Sequence, residues 1–212
     1  MERCEYMNFK DELRKEPITA IFMLLNVLVF FISEIMGGSQ DISVMLNAGA
    51  AYTPYILEGE YYRLFTCMFL HFGIEHLVNN MLVLFVLGGK AERTLGKIRF
   101  IVIYLLGGLF GNILSLMLEL RSYEYAVSAG ASGAVFAVLG ALIYIVIRHK
   151  GHVEDLSIRQ ILIMAAFSLY LGFTSTGVDN AAHIGGLLSG FVLTMLFYHP
   201  GIRKIKMNRS SF

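Results

Sequence analysis

Long apolar runs broken by short polar clusters occupy the chain from residue 18 to residue 198. Six of them read as membrane-crossing helices: 18–36, 74–89, 100–118, 128–147, 161–177 and 181–198, judged against the roughly 20 apolar residues that cover a hydrocarbon core. Pro17 suits a first helical turn, and Pro200 follows the last run as a stop. The connection 37–73 is rich in Gly, Tyr and Phe. It is too apolar for a free tail and is expected to lie partly in the membrane interface. The pattern predicts an all-α polytopic membrane protein with a short segment 1–17, a six-helix domain 18–199 and a basic tail 200–212.

Charge turns this pattern into a topology. Of the 17 Lys and Arg residues, all but Arg63 and Arg121 fall in the N-terminal segment, the loops at 90–99 and 148–159, and the C-terminal tail. Positive charge collects in the cytoplasm, so both termini are expected there. Runs two, four and six then begin at the outer face. Only 16% of residues are charged, against about 25% in soluble domains, and a net charge of +1 gives no reason to expect nucleic acid as a partner. The first 17 residues mix acid and base, and the apolar run behind them is longer than a signal-peptide core, so it reads as a retained first helix. Cys4 and Cys67 are expected on opposite sides of the membrane, where they cannot pair.

Polar groups are costly in lipid and are candidates for function by default. Run two opens with His71, His76 and Asn80, the last two on one helix face. Run four opens with Ser128 and Ser132, and run six with Asn180 and His183. All three clusters sit at the same end of alternate runs. A serine hydroxyl needs a base such as neutral histidine to become a nucleophile, and the oxyanion it generates needs aimed donors. The free N–H groups of a helix start suit that charge, and His76 and Asn80 could add side-chain donors. No metal or cofactor is expected. Each cluster also has a plainer explanation. Gly130-Ala131-Ser132-Gly133 and Gly186-x-x-x-Gly190 fit close helix packing, Asn80 fits helix-to-helix bonding, and His183 fits a satisfied core residue. Asp179 reads as a helix cap, so a Ser-His dyad is expected rather than a triad. Ser128 reads as a helix start, and His71 as lining the cavity or bonding a loop backbone. Glu75 either tunes His76 or faces the interface. Glu34 and Glu119 are placed at outer helix ends within reach of headgroup water, and His149 and His152 in a solvated loop. Asn208-Arg209-Ser210 has the form of a glycosylation sequon, but on a cytoplasmic tail.

Gly130-Ala131-Ser132-Gly133, His76-x-x-x-Asn80 and Ala182-His183-Ile184-Gly185-Gly186 together resemble the rhomboid intramembrane serine proteases, over essentially the whole chain. The resemblance implies Ser132 as nucleophile, His183 as general base and acid, and His76 and Asn80 as oxyanion donors beside the Ser132 N–H. It implies an aromatic at Phe136 packed on the histidine, a structural carboxylate at Glu92, and Gly186 and Gly190 drawing run six onto run four. Tyr62-Arg63 resembles the family's Trp-Arg pair, with tyrosine in place of tryptophan. Implied partners are transmembrane protein substrates with small residues at the cut, within the lipid bilayer. The alternative is a catalytically silent relative that binds membrane clients. The presence of both Ser132 and His183 argues against it. A small transporter would want internal repeats and intramembrane charges, which are sparse here. The compact form leans toward a bacterial inner membrane.

Overall fold

The computed structural model describes residues 16–153, 155–174 and 178–198. Cys4, the N-terminal basic residues, the basic tail and Asn208 lie outside these. The described chain is mostly helical, in the order α1 (Pro17–Ile35), α2 (Ile42–Asn47), α3 (Thr53–Leu57), α4 (Arg63–Thr66), a 3-10 turn (Cys67–Phe69), α5 (Gly73–Val83), a π turn (Leu84–Gly88), α6 (Gly89–Leu95), α7 (Lys97–Ser122), α8 (Ser132–Arg148), α9 (Ile158–Thr174) and α10 (Asn180–Phe197). Between α8 and α9 lies a two-residue hairpin, β1 (His152–Val153) with β2 (Leu156–Ser157). The mostly helical class stands, and within the loop expected here Gly151, at φ +99, and the ion pair from Lys90 to Asp155 accompany this short turn.

Helices α1, α7 and α10 are long and apolar enough to cross a membrane, and the pair Arg63–Phe69 with Gly73–Leu95, bent by 87°, would make a fourth span. Ser132–Arg148 and Ile158–Tyr170 are shorter apolar helices. At 1.5 Å per residue α8 is about 25 Å long, below the roughly 30 Å of a hydrocarbon core. It can be short because it faces protein more than lipid. Every residue from Gly133 to Ile143 is buried, as are Ile145 and Val146. A helix apolar on all sides and sheathed by its neighbours has no lipid thickness to match.

Small residues make that sheath tight. A Cβ on Gly186 would overlap the Gly133 carbonyl, one on Gly190 the Ala137 carbonyl, and one on Gly140 the Leu187 carbonyl. Helix α10 therefore lies backbone to backbone against α8, as the glycine spacing implies. Helix α7 joins them through Gly107, whose Cβ would collide with Ala137, and Gly111, whose Cβ would lie 2.6 Å from the Ala182 carbonyl oxygen. Gly107-x-x-x-Gly111 has the same small-xxx-small spacing as the α10 pair, and reading that spacing in run three would have found this contact.

The 37–73 connection is folded rather than loose. Arg63, 5% exposed, donates to the carbonyls of Leu46 (2.7 Å) and Ala50 (3.0 Å) and through Nε to Glu60 (2.7 Å). Its guanidinium lies 4.9 Å from the Tyr55 ring centre and 5.5 Å from that of Tyr62, whose hydroxyl also donates to Glu60. Tyrosine at 62 thus serves the same arginine. Glu34, placed by sequence at headgroup water, accepts from the Ser39 N–H (3.0 Å) and from its hydroxyl. Glu119 binds the Thr53 hydroxyl and the Ala126 N–H. At the other end, Glu92 accepts from the Ile18 N–H (3.1 Å), the Thr19 N–H (2.8 Å) and the Thr19 hydroxyl (2.9 Å). A carboxylate from α6 thereby caps the first turn of α1, the structural role expected of it.

Candidate active site

Helix α8 begins at Ser132, not at 128. Gly130, at φ +153, breaks the path that the apolar pattern continues. Ser128 lies outside the helix in a bridge with Ala51, exchanging two backbone hydrogen bonds of 2.9 Å. The first bond entering the helix is Val135 N–H to the Ala131 carbonyl. The N–H groups of Ser132, Gly133 and Ala134 precede it and have no intrahelical acceptor.

Three helix ends meet at this point. A Cβ on Gly130 would lie 2.7 Å from His76 Cε1, 2.9 Å from His76 Nε2 and 3.6 Å from Ser132 Oγ. The imidazole and the hydroxyl thus flank one vacant side-chain position, which only glycine leaves open. One turn into α8, the Phe136 ring stacks on His183 with centroids 4.3 Å apart and planes at 16°. This clamps the His183 ring beside the helix that starts at Ser132. His183 is 7% exposed, and its Nδ1 has no hydrogen-bond partner among the described residues. Ser132 and His76 are half-buried.

Asn80 is buried and donates through Nδ2 to the His76 carbonyl at 3.0 Å, which leaves the second amide hydrogen. Asp179 caps α10 by accepting from Ala182 N–H at 2.8 Å, as expected of it. It also accepts from the hydroxyls of Ser115 (2.7 Å) and Ser128 (3.0 Å). Ser128 is therefore a tie between the approach to Ser132 and the start of α10, correcting its reading as a helix start. Ser115 carries no signal in the sequence, because its partner is 64 positions away. His71 is fully buried and accepts from Ala131 N–H at 3.3 Å, the backbone bond expected of it. Away from the site, His149 pairs with the Tyr198 hydroxyl at 2.7 Å. It is therefore not merely solvated, because the ends of α8 and α10 converge there.

A rhomboid domain profile matches residues 58–200. Over 177 residues the chain is 38% identical to rhomboid protease GluP of Bacillus subtilis, covering 84% of this chain and 34% of GluP. It is 29% identical over 189 residues to YdcA of the same organism, covering 89% of this chain and 92% of YdcA. RHOMBOID-like protein 5 of Arabidopsis thaliana is 35% identical over 164 residues, covering 76% of this chain and 52% of that protein. The chain thus spans about a third of GluP, half of the plant relative and nearly all of YdcA. With the profile covering most of the chain and its apolar helices packed around α8, this integral membrane protein belongs to the rhomboid family.

Proposed function

We propose that the chain is an intramembrane serine endopeptidase that cuts transmembrane proteins near the outer membrane surface. Ser132 Oγ attacks the scissile carbonyl carbon while His183 takes its proton. His183 then passes that proton to the leaving amine, and water hydrolyses the acyl-enzyme by the same route. The oxyanion draws on the Ser132 N–H at the start of α8, the His76 ring and the second Asn80 amide hydrogen, in a region where helix polarity favours negative charge. Catalytic hydrogen bonds are often long before substrate binds, so a Ser132–His183 bond belongs to the substrate complex. This reading includes six membrane passes with both termini cytoplasmic, and a bacterial inner membrane as its setting.

The observation that carries the reading is that His76 and Ser132 flank Gly130 while Phe136, one turn into α8, stacks on His183. Three helices bring a hydroxyl, two imidazoles and a row of N–H groups without intrahelical acceptors toward one end of the bundle. Helix packing alone gives no reason for that combination. The test is cleavage of a tagged single-span reporter by the full chain reconstituted in liposomes. Ser132→Ala and His183→Ala should each reduce kcat/KM by about 10³-fold or more, and a fluorophosphonate should label Ser132. Cleavage that survives both substitutions sinks the proposal. Reporter capture without cleavage by the unmodified chain would favour a client-binding relative.

A further inference from the structure

We propose that His71 is a positioning residue for Ser132: it holds the residue before the nucleophile in place of a helix cap. The inference rests on Ser132 being the nucleophile.

The N-cap position of α8 is Ala131, which makes no side-chain capping bond. Alanine is a poor cap because it has no oxygen to offer the N–H groups of the first turn. A Ser, Thr or Asp there would take up the Gly133 or Ala134 N–H. Those donors lie one and two residues beyond the Ser132 N–H, so a conventional cap would place a polar side chain at the edge of the oxyanion position. The start of α8 must then be fixed from outside. The approach segment is tied at each turn: Ser128 to Ala51, Gly130 N–H to the Cys67 carbonyl at 2.9 Å, and Ala131 N–H to His71 Nε2 at 3.3 Å. Among the described residues, His71 is the side chain that accepts from the amide of Ala131, the residue before Ser132. To accept there, Nε2 must be unprotonated, so the ring is the neutral tautomer with its proton on Nδ1. That Nδ1 is buried, and the bond to Ala131 holds the other ring nitrogen. The other side of His71 meets His76 edge to face, with centroids 5.1 Å apart and planes at 71°. His76 in turn borders the Gly130 gap it shares with Ser132 Oγ. One buried ring therefore touches both the amide of the residue before the nucleophile and the imidazole opposite it.

The experiment uses the full chain with two replacements of the ring. His71→Phe keeps its size and its contact with His76 but removes the acceptor. His71→Gln restores an acceptor oxygen at similar reach. His71→Phe should lower kcat about tenfold with KM within about twofold, slow fluorophosphonate labelling of Ser132, and speed hydrogen exchange at the Ala131 amide. His71→Gln should recover most of all three. Ala131→Pro removes the same bond from the donor side and suits the observed φ of −71°. It should match His71→Phe, and it serves if that variant does not fold. Full kcat in His71→Phe or Ala131→Pro, or equal losses in His71→Phe and His71→Gln, would overturn the proposal. If the unmodified chain does not cleave, the Ser132 reading fails, and exchange at Ala131 still reports whether His71 holds that amide.

Discussion

Gly130 has no side chain, and the site depends on that. An alanine Cβ would press on the His76 ring at 2.7 Å and would hold φ +153, a value that L side chains rarely adopt. Gly130→Ala is expected to cut kcat/KM by about 10- to 100-fold, the cost of moving reacting groups by a fraction of an ångström to an ångström. Reporter cleavage measured beside thermal unfolding checks this, and unchanged kcat/KM would refute the apposition. Glu92 is a residue of the opposite kind, 2% exposed and far from Ser132 along the chain. Glu92→Gln weakens three charge-assisted bonds to α1 and should cost about 1–3 kcal/mol of stability. The folded fraction should keep its turnover. A variant that unfolds like the parent would remove Glu92 from the list of structural groups.

Helices here approach through missing side chains rather than through interlocking large ones. Gly190→Ala places a methyl into the Ala137 carbonyl of α8 and should destabilise by about 1–3 kcal/mol as an overpacked contact. Calorimetry or a denaturant titration in detergent would expose an error if the midpoint did not move. The folded connection 37–73 responds to acid. The Tyr62 hydroxyl and the Arg63 guanidinium hold the Glu60 carboxyl below the usual carboxylate range. A lowered folded-state value means that its stabilisation is present above the unfolded value near 4.3 and is lost as pH falls through the lower, folded one. Amide exchange across residues 53–66 should therefore rise between about pH 5 and pH 3, after correction for intrinsic rates. Glu60→Gln should abolish that rise, and a parent chain flat over the interval contradicts it.

For the molecule as a whole, the proposed orientation predicts which loops face outward. In a chain with Cys4 and Cys67 changed to serine, Glu58→Cys should react with an impermeant maleimide from outside intact cells. His152→Cys should react only once the membrane is opened, and the reverse pattern would invert the proposed topology. Much of the fold was legible because its causes are local. Apolar runs mark the helices, since lipid demands internally bonded backbone. The Gly186 and Gly190 spacing marks the contact of α10 with α8, and Asp179 marks where α10 starts. The break before Ser132 was less legible, because hydropathy carries straight through Ala129 and Ala131 while Gly130 bends the backbone. His149 is exposed, as read, but its bond to Tyr198 was not legible because that partner lies 49 positions away. The sequence by itself determined which segments are apolar, the side on which their charges gather, and which polar residues stand at the same ends of alternate helices, since these depend on residue type and spacing alone. The stacking of Phe136 on His183 was implied by the family resemblance and is seen in the structure. Only the tertiary structure decided that His76 and Ser132 share the space at Gly130 and that His71 holds Ala131, because those contacts join residues 56 and 60 positions apart and no spacing along the chain specifies them.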